Sequence, residues 1–163
     1  MRFLPPSKEA SAASPLVFQI TPGEKAVLLT TLRLFPVLDS AHHQLTKDRA
    51  AARASEQRLL EESMAQQQTA HRRKLSQFFR AEKQFFRTER GELRLALSPP
   101  QLEWLLQVLN DIRVGSWVQL GCPEMENARL KLARENPVAF TAMETSGYFQ
   151  MVLLEAFQGS KPA

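Results

Sequence analysis

The chain has 163 residues and a formal net charge of +4, with 44% hydrophobic and 23% charged residues, which suits one domain with its own core and excludes wholesale disorder. The lone cysteine, Cys122, excludes an internal disulfide and a cysteine-rich zinc site. No apolar run approaches the roughly 18 residues of a membrane span, and the Pro5-Pro6 pair between Arg2 and Lys8 interrupts any apolar secretion core, so a reducing cytoplasm is the expected location.

Residues 1 to 15 read as a flexible tail, followed by a mainly helical, bundle-like domain over 16 to 158 and a short tail over 159 to 163. Leu16, Phe18 and Ile20 alternate as in a strand. A helix start follows, with Thr21 as cap, Pro22 at the first helical position and Glu24 at the third; proline lacks the amide that would otherwise need an acceptor there. Leu28, Leu29 and Leu32 supply the apolar face.

From Thr46 to about Phe79 the chain is rich in small, charged and glutamine residues, with Leu60, Met64, His71, Leu75 and Phe79 as a thin apolar line. A continuous helix here would extend about 51 Å, against a radius of gyration of about 15 Å for a compact chain of this size. The segment therefore projects, or it breaks around Ala65 to Thr69. Residues 46 to 74 are expected to add little to the core and to serve association, with Leu60, Met64 and Leu75 as contacts and Arg53 and Glu61 at the rim. A homodimer is the simplest such assembly, because two-fold pairing uses one surface twice.

His71 to Arg94 holds eight Lys or Arg residues against three Glu. Arg72, Arg73, Lys74, Arg80, Lys83 and Arg87 are candidate anion contacts, and a nonspecific nucleic-acid binder would place them on phosphates. Phe78, Phe79, Phe85 and Phe86 recur at helical spacing and read as one packed face beneath the charges.

Leu93, Leu95 and Leu97 then alternate, and Ser98, Pro99 and Gln101 repeat the earlier helix start. Thr21 and Ser98 stand 77 positions apart, and Leu105, Leu106 and Leu109 correspond to Leu28, Leu29 and Leu32. Either internal duplication or convergent capping produces such a match. The two alternating segments predict a minor two-stranded β element, since an isolated strand would leave its amides and carbonyls unpaired. Leu102, Leu105, Leu106, Leu109 and Ile112 form the broadest apolar stripe in the chain, and Gly115 allows a close approach or a fray. Asp111 and Arg113 flank Ile112 and, with Trp117, mark either a link between helices or a partner-binding edge. Gly121, Cys122 and Pro123 mark a stop, with Cys122 expected to be half-buried. A last helix is predicted from Asn136-Pro137 to about Phe157, with Phe140, Met143, Gly147, Met151 and Leu154 along one side. Leu105, Leu109, Phe140 and Met151 are the predicted core markers.

No catalytic, cofactor or metal constellation is legible. His42 and His43 are adjacent and cannot project together from one regular helix face, and no phosphate loop, nucleophile elbow or dinucleotide fingerprint is present. An enzyme assembled from distant residues is the third reading, behind protein interaction and nucleic-acid binding.

The stretch LSPPQLEWLLQVLNDIRVGSWVQLGCPE resembles the C-terminal half of an uncharacterised bacterial family of small helical proteins, mainly of actinobacterial type. The resemblance covers residues 16–38 and 90–157, including the Thr21-Pro22-Glu24 start and the run into Asn110-Asp111-Ile112-Arg113. It implies an N-terminal strand and a leucine-rich later helix, and no activity. The resulting expectation is a small regulatory or scaffolding protein that works through a protein partner or its own second copy, without a cofactor.

Overall fold

A computed structural model describes residues 1–5, 14–38, 54–81 and 83–159. The order is β1 (Arg2–Leu4), β2 (Leu16–Gln19), α1 (Pro22–Leu32), α2 (Ala54–Ala81), β3 (Phe85–Arg87), β4 (Leu93–Leu97), α3 (Pro99–Gln119), α4 (Met125–Glu135) and α5 (Pro137–Gly159). The fold is mainly helical with a small antiparallel sheet, as the sequence predicts. The sheet has four strands, in the order β1-β2-β4-β3, so the expected two-stranded element is its centre. The outer strands were not anticipated: β1 falls in the expected tail, and β3 takes Phe85 and Phe86 out of the helical face predicted for them.

Both predicted helix starts are capping boxes. Thr21 Oγ1 accepts from the Glu24 amide at 3.1 Å while the Glu24 carboxylate accepts from the Thr21 amide at 2.9 Å. Ser98 Oγ and Gln101 repeat the exchange at 3.4 and 2.9 Å. Two orphan donors are satisfied in each case, which fixes where strand turns into helix.

The sheet register is two-fold about Phe18 and Leu95, which pair with each other. Exchanging positions 77 apart converts the pair Val17 and Ala96 into Gln19 and Arg94, which also pair. It converts Leu16 and Leu97 into Leu93 and Ile20, where the Ile20 amide donates to the Leu93 carbonyl at 3.1 Å. The outer strands obey the same rule, Phe3 lying opposite Phe18 and Phe85 opposite Leu95. The symmetry extends to the second helix of each half. Gln68, His71, Leu75 and Phe78 are the buried stripe of α2, and Ser146, Phe149, Leu153 and Ala156, each 78 positions later, are buried on α5.

The halves differ in helix length. Helix α3 runs on to Gln119, whereas its counterpart α1 stops at Leu32. Helix α5 consequently packs along nearly the whole of α3, with Ala139, Ala142 and Ser146 as small residues on its buried side. Residues 33–38 instead pass over the far end of α3. There Gly115 is required, because a Cβ at that position would lie 2.7 Å from Val37 Cβ. The core gathers Phe18, Leu28, Leu32, Leu95, Leu97, Leu105, Leu109, Phe149 and Leu153 between the sheet and these helices.

Several core expectations need correction. Leu105 and Leu109 are buried as predicted, but Phe140 is half-buried and Met151 is 52% exposed, because the buried side of α5 is set by its small residues and Phe149. Cys122 is exposed, in the left-handed region with φ 55°, at the turn after α3. Helix α4 was not predicted; its cap Glu124 makes no side-chain hydrogen bond, so it carries no start signal. Helix α2 is continuous through 65–69, without the alternative break. Among the described residues no helix is long and apolar enough to cross a membrane.

Candidate functional site

The sequence places Asp111, Arg113 and Trp117 on one helix, and packing separates them. Ile112 between them is fully buried, so its neighbours are driven to opposite flanks of α3. Asp111 lies on the α2 side, where its charge acts on His71. Arg113 turns toward α5, its side chain passing over Gly147. Trp117, one turn on from Arg113, is anchored by its indole N–H, which donates to the Pro123 carbonyl at 3.3 Å.

Arg113 and Trp117 line a groove between α3, α4 and α5 of about 680 Å³. Val114 completes the α3 wall, and Tyr148 and Met151 form that of α5. Val114, Trp117, Tyr148 and Met151 are between 39% and 52% exposed, so an apolar strip faces solvent and includes Met151, one of the predicted core markers. Arg129 from α4 closes one end and is ion-paired with Glu144. Arg113 has no ion-pair partner among the described residues. The groove therefore offers apolar walls and one uncommitted guanidinium, a combination that suits an apolar surface carrying a carboxylate.

The predicted association line on α2 is split. Leu75 is 4% exposed and belongs to the core, so it is no surface contact. Gln57, Leu60, Glu61 and Met64 continue the same stripe half-exposed, and Leu59 beside them is largely exposed. Residues 46–53, including Arg53, lie outside the described residues, as do His42 and His43.

The candidate anion contacts do not form one array. Arg73 and Arg80 lie opposite the buried stripe of α2, with Arg72 at the margin; all three are exposed. Lys74 faces the start of α3, where it lines a separate cleft. Lys83 sits in the turn after α2. Arg87, at the end of β3, donates to the Gly91 carbonyl at 2.9 Å and lines another concavity near Met1 and Glu24. Phe79 and Phe85 are covered by Arg33 and Lys25, 5.7 and 4.6 Å from the ring centres.

His71 is a buried titratable group on the inner face of α2. Its ring lies 5.7 Å from that of Phe35, and Gln68 one turn away donates to the Leu38 carbonyl at 3.0 Å. Burial pushes the imidazole below its ordinary pKa and Lys74 pushes the same way, opposed by Asp111 and a hydrogen bond with Gln107. Among the described residues no group of three or more His, Cys, Asp or Glu side chains could hold a metal ion.

Met151 was missed as a groove residue because its spacing with Met143 and Gly147 reads as a buried stripe, and Tyr148 was not singled out in the sequence. The signal against that reading was Ala139, Ala142 and Ser146, whose small side chains allow close helix approach. No protein-family model, curated protein or solved structure matches the chain, which leaves the chemistry of its own surfaces to carry the functional argument.

Proposed function

We propose that this protein is a small regulatory or scaffolding protein of the cytoplasm, acting through protein–protein interaction, and that the α3–α5 groove receives an acidic amphipathic helix of its partner. The observation that carries this reading is the grouping of exposed Trp117, Tyr148 and Met151 around unpaired Arg113. Tryptophan, tyrosine, methionine and arginine are enriched in interface cores, and the two rigid aromatics bury large area at small entropic cost. A helix lying along the groove would cover the apolar strip and give Arg113 a carboxylate.

The test compares proteins recovered with the full chain from its own cells against those recovered with Trp117→Ser, Arg113→Glu and Arg73→Glu, the last lying on another face. A partner recovered in stoichiometric amount with the wild type and with Arg73→Glu, and reduced about tenfold or more by either groove substitution, supports the reading. Equal recovery with the groove variants rejects it.

Self-association is the second form of the proposal, favoured by the half-exposed line of Leu60 and Met64 with Leu59 beside it. Nucleic-acid binding is the alternative, and it rests on Arg72, Arg73 and Arg80, which have no ion-pair partner among the described residues. Charge reversal at Arg73 and Arg80 would weaken retention on a polyphosphate polymer and flatten its salt dependence if that alternative holds.

A further inference from the structure

A second concavity, of about 370 Å³, lies between α2 and the first turns of α3, outside the α3–α5 groove. It arises from the imperfect symmetry of the fold. Helix α5 packs closely along α1, whereas α2, its counterpart, reaches α3 mainly through side chains such as Phe78 and Trp104, whose rings are 5.9 Å apart. Those two buried aromatics, with Pro100, give the cleft an apolar surface.

Its polar lining consists of Lys74, Gln77, Gln84 and Gln101, with no carboxylate among the lining residues. Gln84 already donates to the Phe78 carbonyl at 2.6 Å, and the Gln101 side-chain oxygen accepts from the Ser98 amide. Donors are left over. Lys74 is exposed and has no ion-pair partner among the described residues. Trp104 is only 5% exposed, and its indole N–H is buried with no acceptor. A buried donor without an acceptor is unfavourable, and an incoming acceptor would relieve it. The helix start supplies none of these donors, since Pro99 and Pro100 lack amides and Ser98 takes that of Gln101.

We propose that this cleft binds a small organic carboxylate, its oxygens shared by Lys74 Nζ and Trp104 Nε1 and its apolar body lying on Phe78 and Pro100. One ammonium and one indole N–H match a single negative charge with two acceptor oxygens. A phosphate dianion would need a second cation, and none lines the cleft. The volume is near the lower end for small-molecule sites, consistent with a single-ring or short-chain acid. The site is independent of the α3–α5 groove and of its partner.

The experiment follows the indole N–H signals of the full chain by nuclear magnetic resonance, with Trp117→Phe assigning the Trp104 signal. Benzoate, its neutral isostere benzamide and inorganic phosphate are the probes. Saturable movement of the Trp104 indole signal with benzoate is expected, with benzamide weaker by about tenfold or more, because a charge-assisted hydrogen bond is lost. Lys74→Met should weaken benzoate by a similar factor and Lys74→Arg should largely restore it. Lys74 is exposed, so these variants test the site without disturbing the core. The proposal is overturned by the absence of a saturable benzoate shift, by equal binding to Lys74→Met, or by a response to phosphate without one to benzoate.

Discussion

Leu109 and Gly115 show how differently two positions on one helix are constrained. Leu109 is fully buried in the middle of the core, so Leu109→Ala should cost about 2 to 5 kcal/mol in denaturant unfolding, from lost burial and the residual cavity. At Gly115 two effects oppose each other. Alanine would gain up to about 1 kcal/mol of helix propensity, while its Cβ would collide with Val37 and force a shift costing about 1 to 3 kcal/mol. The expected outcome of Gly115→Ala is net destabilisation, which the additional change Val37→Ala should partly relieve. His71 makes a third residue-scale prediction. Its folded pKa lies below the ordinary 6.5, so the unfolded chain takes up the proton first as pH falls. The stability contributed by neutral His71 is complete above about pH 6.5, declines as pH falls toward the folded pKa, and is level below it. Denaturant midpoints across that window should show this slope in the wild type and lose its His71 share in His71→Gln.

Helix α2 divides into two parts with different tasks. From Gln68 onward its stripe is buried, while Leu60 and Met64 remain half-exposed, because α1 ends too early to cover what α3 covers on α5. Leu60→Ser with Met64→Ser should change monomer stability by about 0.5 kcal/mol or less, whereas Leu75→Ser should cost several times that. Light scattering over a concentration series at fixed salt then tests self-association with the double variant alone, free of unfolding; a wild type monomeric at high micromolar concentration removes the dimer. The sequence showed the α2 stripe but not where it goes under, since burial there depends on the length of a helix elsewhere in the chain. It also misread Phe85 and Phe86, whose spacing from Phe78 and Phe79 is helical. The chain leaves the helix between the two pairs and returns as β3 to pair with β4.

Across the whole molecule, the legible part was the local grammar. Thr21 with Glu24 and Ser98 with Gln101 announce their helices because capping needs particular atoms at particular spacing. The groove was legible only in part. Trp117 and Arg113 stand out on α3, but Tyr148 and Met151 join them through the rotation of α5, which only its small residues Ala139, Ala142 and Ser146 report. The central strand pair has a further consequence, for the order in which the chain can fold. Strands β3 and β4 are joined by a tight turn, with the Gly91 amide bonded to the Thr88 carbonyl, and they can pair as soon as both exist. Strand β2 must wait for β4, the whole of α2 having been traversed between them. During synthesis the first half therefore emerges with Phe18, Leu28 and Leu32 lacking their final cover. Closure of the sheet is the late, long-range event, and the β3–β4 hairpin leading into α3 is the template on which the first half settles.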